Sequence, residues 1–349
     1  MLTLRKKKRI PFKQILLTGF LPSFIKVFIY RLKGYKIGKK VSIGFGSVIS
    51  GRKVEIKDHA KIGFLTIIRG QEIKIGRFVS IGSTSFIDVN KFHVDDDSRI
   101  KEQVYVGGLF APDSELIIGK RAIIMQFSFI NPTKPIKIGD DTGIGGHCLL
   151  FTHGSWLSQL DGFPVTFAPI TLGNNVWLPW RVFIMPGVRV GDNVVIGANS
   201  LVTMDIPSNC LAAGSPAKIL KENYPPPLSD EKKAEILEEI FASFLKHLEY
   251  HSFQVNKYNH RTGFKIEVKK KKNCHTLIYV NKGNPCISVT NKKNVLVLDC
   301  MDLRLDGFKE SAFQMIIDLR RKERIGTSEI GEEFAKYLSR HGIRFNRLD

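Results

Sequence analysis

Cysteine, carboxylate and histidine side chains are the groups in this chain that could carry chemistry, and their spacing sorts them. Five cysteines, Cys148, Cys210, Cys274, Cys286 and Cys300, form an odd, scattered set with no C-x-x-C pair. That pattern disfavours a disulfide framework and a zinc ribbon, and suits a reducing cytosol. Asp95-Asp96-Asp97 could meet a cation, yet three consecutive carboxylates at a turn read as a solvated corner. His147 and His153 stand six residues apart, and Trp156, Trp177 and Trp180 follow. Whatever these residues do, the elements that hold them must be found first.

The chain has 349 residues, 43% hydrophobic and 25% charged, which supports real cores and excludes wholesale disorder. Its net charge of +20 is unevenly placed. Residues 1–40 carry 12 Lys and Arg with no Asp or Glu, whereas 41–220 carry a surplus of only +2 and 221–349 one of +6. A localised surplus names an anionic partner, and the near-neutral middle argues against nucleic acid. Arg5-Lys6-Lys7-Lys8-Arg9 followed by the apolar stretch 15–30 imitates a signal peptide, but Pro22 and Lys26 interrupt it and no small-residue cleavage site follows. It is also too broken for a spanning helix. Residues 1–36 are therefore expected to lie as a basic amphipathic segment on an anionic membrane surface, with Phe12, Phe20, Phe24, Phe28 and Tyr30 available to insert. The competing expectation is a segment packed on the rest of the protein.

From Ile37 onward, aliphatic residues recur every six positions: Ile37, Ile43, Ile49; Ile56, Ile62, Ile68; Ile75, Ile81, Ile87; Val94, Ile100, Val106. The series continues through Ile118, Ile124, Ile130, Ile138, Ile144 and Leu150, and closes with Leu172, Leu178, Ile184, Val190, Ile196 and Val202. Neither a helix nor an ordinary sheet has this period. Three six-residue units close one turn of a three-sided coil, and stacked turns bury each other's aliphatic columns and backbone edges. Glycine after the aliphatic residue fits a corner too tight for a side chain. The period breaks in three places: mildly at 107–117, by two residues at Asn131-Pro132-Thr133, and by about sixteen at 154–169. Long excursions from a rigid scaffold are where function concentrates.

This pattern resembles the hexapeptide-repeat, left-handed parallel β-helix. With Phe151-Thr152-His153, Gly173-Asn174-Asn175-Val176-Trp177 and Gly214-Ser215-Pro216-Ala217-Lys218, it is similar over residues 30–220 to the acetyl-CoA-dependent O-acetyltransferases of that superfamily. The nearest likeness is to galactoside and maltose acetyltransferases and to the O-acetyltransferases of capsule and O-antigen assembly.

The resemblance implies a mainly β fold and a catalytic pair, His153 as general base and Asn131 one coil earlier. It implies acetyl-CoA contacts at Trp177, at the backbone N–H groups of Trp180 and Ala198, and at Thr203 and Lys218. Trp156 and His147 are placed against the acceptor, with packing over the coil an alternative for Trp156. Asn131 could instead cap the two-residue bulge, and His153 could be a loop-root histidine. Pro179-Trp180 and Met204 depart from the family, which has small residues and a lysine there.

No metal is expected, because His59, His93, His147 and His153 offer no equivalent pair one coil apart. A homotrimer is implied, with the cleft between coils. The expected acceptor is a sugar of a bacterial surface polysaccharide, lipid-linked or nucleotide-activated, and the expected location is cytoplasmic, on the inner face of the cytoplasmic membrane. N-acetylation of an amino sugar nucleotide and a non-catalytic β-helical binding protein are the rival readings.

Three domains are expected: 1–36, the coil at 37–220, and a small α+β module at 221–349. The last reads as a helix at 229–250, strands near 264–268, 276–280, 286–289 and 295–298, and helices near 311–322 and 328–341.

Overall fold

The computed structural model describes residues 11–109, 111–260, 263–270, 273–280, 294–299 and 313–348. The basic run at 5–9, Lys271, Lys272, Cys286, Cys300 and the strand expected at 286–289 lie outside the described residues. The chain divides into two units between Pro226 and Pro227.

The first unit is a left-handed β-helix. Two of its sides are 8-stranded parallel sheets, and the third is a 10-stranded sheet finished by the hairpin Cys210–Gly214 and Ala217–Glu222. One full turn runs through Lys36–Ile37, Ser42–Ile43 and Val48–Ser50, and the last through Arg189–Val190, Val195–Ile196 and Leu201–Val202. Every aliphatic residue of the six-residue series lies in one buried core. Register is strict: Ile37 stands on Ile56, Ile43 on Ile62 and Ile49 on Ile68.

The corners show why the chain tolerates a left-handed path. Non-glycine residues occupy the left-handed region at matching places, from Lys40 (φ +52°) and His59 (φ +60°) at one corner to Leu65 (φ +51°) and His147 (φ +57°) at the next. That conformation is costly for an L-residue. It is offset where the corner N–H bonds to a carbonyl of the preceding turn, His59 to Lys39 O at 2.9 Å, Leu65 to Phe45 O at 2.8 Å and His147 to Gln126 O at 3.2 Å. The glycine after each aliphatic residue answers to close approach: a Cβ on Gly63 would stand 2.5 Å from Ser83 N.

Carboxylates and amides also ladder one corner. Asp58 accepts from Lys39 N, Asp96 from Arg77 N and Asp192 from Asn174 N. The middle member of Asp95-Asp96-Asp97 is thus a half-buried acceptor tied to the turn below, where a solvated corner was expected.

The segment before the coil packs on its open end. The helix Ser23–Leu32 buries Lys26 and Tyr30 against the first turn.

In the second unit, strands Gln254–His260, Gly263–Lys270, Asn273–Val280, Asn294–Leu298, Met315–Asp318, Glu323–Gly326 and Asn346–Arg347 form one 7-stranded sheet. Helices Asp230–Tyr250 and Glu329–Arg340 bury Phe241, Phe244 and Phe334 against one face of it. The helix expected at 311–322 is absent among the described residues. Met315–Asp318 is instead a fully buried strand, and Asp318 Oδ1 accepts from Arg320 N and Arg321 N to turn the chain into Glu323–Gly326. A short apolar run does not distinguish helix from central strand, and pairing with Asn294–Leu298 decided it.

Candidate active site

The three breaks in the six-residue period meet. The two extra residues after Ile130 carry Thr133 inward, where it is buried. The mild break supplies Leu109, whose N–H donates to Thr133 Oγ1 at 3.0 Å, and Ser114, whose hydroxyl donates to Pro132 O at 2.7 Å. The long break starts at His153, and Thr152 Oγ1 ties its root to the bulge by donating to Asn131 O at 2.7 Å and accepting from Lys134 N at 2.9 Å. The excursion returns through a two-residue antiparallel pair, His153–Gly154 with Thr166–Phe167, and Ala168 N–H closes it on Thr152 O at 3.0 Å. Its tip is apolar and open: Trp156 is 95% exposed and Leu160 98%. Trp156 therefore does not pack over the coil.

His153 is half-buried, its ring stacked between Phe167 (5.7 Å, 12°) and Phe151 (6.4 Å, 25°). Its Nδ1 lies 3.3 Å from Thr133 Oγ1. Thr133 donates its hydroxyl proton to Asn131 Oδ1 at 2.8 Å and accepts from Leu109 N–H, so only one lone pair is left for the ring. This network assigns the tautomer: His153 donates from Nδ1 and keeps the free lone pair on Nε2.

Asn131, the expected catalytic partner of His153, has its carboxamide buried against Gly108 of the neighbouring turn, where a Cβ would collide with Oδ1, and it reaches His153 through Thr133. The residues that the sequence reading missed are Thr133 and Leu109. Both sit in period breaks, and that was the available signal.

The expected acetyl-CoA residues assemble at other corners. Trp177 and Trp180 lie flat over glycines of the turn before: a Cβ on Gly143 would stand 2.6 Å from Trp177 Cε3, and one on Gly146 2.6 Å from Trp180 Cζ3. His147 joins this group, its ring 5.6 Å from Trp180 and 5.0 Å from Phe127. Asn199 N–H donates to Trp180 O at 3.0 Å, which sets Ala198 on the next turn of the same corner. The N–H groups of Trp180 and Ala198 bond to no acceptor among the described residues and remain available. Ser200 links this corner to the terminal hairpin, donating to Gly197 O at 2.7 Å and accepting from Gly214 N at 3.0 Å. Lys218, paired with Ala213 in that hairpin, and Thr203 are both exposed. No ring contact or hydrogen bond among the described residues joins His153 to the Trp177, Trp180 and His147 group.

Burial pushes the Cys148 thiol up to about 11, and its Sγ–H donates to Pro179 O at 2.9 Å. It is a structural thiol with negligible thiolate near neutral pH. No group of three or more His, Cys, Asp or Glu among the described residues is placed to hold a metal ion.

The family model described as "Bacterial transferase hexapeptide (six repeats)" matches residues 169–203. The galactoside O-acetyltransferase of Escherichia coli K12 is 59% identical over 54 residues, which are 16% of this chain and 27% of that protein. The "Putative colanic acid biosynthesis acetyltransferase WcaF" of the same organism is 31% identical over 124 residues, covering 30% of this chain and 68% of its own length. For two further curated relatives, putative acetyltransferases of Saccharomyces cerevisiae and Schizosaccharomyces pombe, the match spans 56% and 26% of their length. A solved galactoside acetyltransferase in complex with coenzyme A aligns with 63% of this chain and 78% of its own, at 21% identity and a TM-score of 0.27.

Proposed function

The chain belongs to the hexapeptide-repeat acyltransferase family, and on that premise we propose that it moves an acetyl group from acetyl-CoA to a hydroxyl of a carbohydrate in bacterial surface-polysaccharide assembly. One observation carries the chemical part: His153 holds its Nδ1 proton against Thr133 and turns a free Nε2 lone pair outward at the root of an open loop. The names of the galactoside and colanic acid relatives support a sugar acceptor.

In this reading His153 Nε2 takes the proton of the acceptor hydroxyl while that oxygen bonds to the acyl carbon. The carbon–sulfur bond then breaks, and the same proton goes from Nε2 to the departing sulfur, so the histidine ends as it began. The Trp180 N–H is available to receive the negative charge that develops on the carbonyl oxygen, and the Ala198 N–H to hold the pantetheine arm. Thr203 and Lys218 are exposed where phosphate oxygens could be met. His153 and the tryptophan corner do not touch within one chain, so the complete cleft takes one half from each of two neighbouring coils of a homotrimer. The exposed Trp156 and Leu160 supply a tip that a neighbour or an acceptor would cover.

The test is thiol release from acetyl-CoA with a panel of oligosaccharides and polysaccharide fragments. Release that depends on one acceptor class, with one acetyl ester formed per thiol, is expected. Release at the same rate without acceptor would overturn the reading.

Thr133 is a positioning residue in this scheme. Thr133→Val removes the acceptor for Nδ1–H and is expected to lower kcat roughly ten- to hundredfold with KM for acetyl-CoA unchanged. Thr133→Ser should restore most of the rate. A loss of the same size in Thr133→Ser would mean that the methyl group, not the hydroxyl, matters.

A further inference from the structure

The helix Ser23–Leu32 is turned the wrong way round for water. An amphipathic helix on a protein surface buries its apolar face. This one buries its polar side chains, because the first turn of the coil has no earlier turn to bond its backbone. Ser23 Oγ accepts from Ile43 N at 2.9 Å, and Tyr30 OH accepts from Ile49 N at 3.0 Å. Lys26 Nζ donates to Gly44 O at 2.6 Å and Ser47 O at 3.2 Å, and Arg31 donates to Ile37 O and Gly38 O. With the polar face spent on capping, Phe24, Phe28 and Leu32, spaced four residues apart, stand 75%, 62% and 73% exposed. Phe12, Leu16, Leu17 and Phe20 just before them are exposed as well. A groove of about 640 Å³ opens beside the helix, lined among others by Phe24, Val27, Phe28 and Val41 together with Arg31 and Lys40.

We infer that this capped end of the coil docks on an anionic lipid bilayer surface, the apolar side chains entering the interface and the cations meeting headgroup phosphates. Charge selects that occupant. The first forty residues hold 12 cations and no carboxylate, and Lys13, Lys33, Lys36, Lys39 and Lys40 are exposed among the described residues. Exposed apolar side chains accompanied by a surplus of cations are the signature of an interfacial segment. A second copy docking through the same face would set that unbalanced charge against itself. No single helix among the described residues is long and apolar enough to cross a bilayer. The two helical pieces, Phe12–Gly19 and Ser23–Leu32, together have the length and composition of a span, but they bend by 119° and the second is bonded along its polar face to the first turn of the coil, so the proposal sets this surface on the bilayer. None of this depends on the chemistry assigned to His153.

Flotation of the full chain through a density gradient tests it. The probes are phosphatidylcholine vesicles and vesicles with about 30% phosphatidylglycerol. Wild type is expected to float with the anionic vesicles, to bind the neutral ones at least about tenfold more weakly, and to lose binding as salt rises. Phe24→Gln, Phe28→Gln and Leu32→Gln together should lower partitioning roughly a hundredfold while leaving the circular dichroism spectrum and acetyl transfer to a soluble acceptor unchanged. Wild type left at the bottom of the gradient, or the triple variant floating equally well, would overturn the proposal. So would sedimentation showing that the triple variant splits an oligomer the wild type forms, since the face would then join two copies.

Discussion

His153→Ala should lose acetyl transfer by roughly 10²- to 10⁴-fold in kcat, about 3–5 kcal/mol of barrier, while binding acetyl-CoA as wild type does. The size follows from what is removed. In the proposed mechanism the Nε2 lone pair takes the hydroxyl proton, the Asn131–Thr133–Leu109 network holds the ring by its Nδ1, and alanine offers no substitute. Unchanged binding follows from placement. Trp177, Trp180, Ala198 and Lys218 sit at the tryptophan corner and the terminal hairpin, and no contact among the described residues links them to His153. The fold should survive, since the ring is half-buried and makes one hydrogen bond, worth about 1 kcal/mol. Steady-state rates, with a direct measurement of acetyl-CoA affinity, separate the outcomes. A variant with wild-type kcat would remove His153 from the chemistry, and one that lost acetyl-CoA affinity instead would make it a binding residue.

The second large effect is on stability, at Lys26. Its ammonium is wholly buried without a carboxylate beside it, held by Gly44 O and Ser47 O. Lys26→Ala removes the donor of Ser47 O, leaves Gly44 O only the Ser47 N–H at 3.2 Å, and opens a gap under the capping helix. We expect a loss of about 2–4 kcal/mol in the first turns of the coil, after the relief from removing a buried charge. Hydrogen exchange localises it: protection of the Ile43 and Ile49 amides should fall, while that at Ile184 stays. Burial also lowers the ammonium to about 8 from its ordinary 10.5. Between those values the unfolded chain carries a proton that the folded one has released, so unfolding takes a proton up and stability rises with pH across that window. Below about 8 both states are protonated and the full desolvation penalty, roughly 3 kcal/mol, is present. The pH-dependent gain should vanish in Lys26→Met. A slope that persists in that variant would assign it to another group.

The coil was legible because its rule is rigid. A residue that repeats every six positions has one place to go, and Ile37 to Val202 went there in register. The three failures of that rule were legible as well, and the structure brings them onto one stack of corners. The bonds inside it were not: nothing in Asn131-Pro132-Thr133 says that the threonine hydroxyl faces His153 or that Leu109 arrives from another turn. Lys26 misled in an instructive way. A cation within an apolar stretch reads as an interruption, whereas here it is the polar plug of an open coil end. At 311–322 the misreading was of another kind, because Met315–Asp318 has the composition of a core segment and only its strand neighbours fix its type.

The capping of the coil has a consequence for what the molecule does not do. A stack of parallel turns ends, by construction, in rows of unpaired N–H and C=O groups, the template on which cross-β fibrils add their next layer. At the first turn that template is erased by side chains, Ser23, Lys26, Tyr30 and Arg31 filling positions where another backbone would bond. At the far end the antiparallel strand Ala217–Glu222 folds back across one side of the prism. The coil is in effect a short filament with built-in stops, closed to further layers by a few polar side chains at one pole and a folded-back strand at the other.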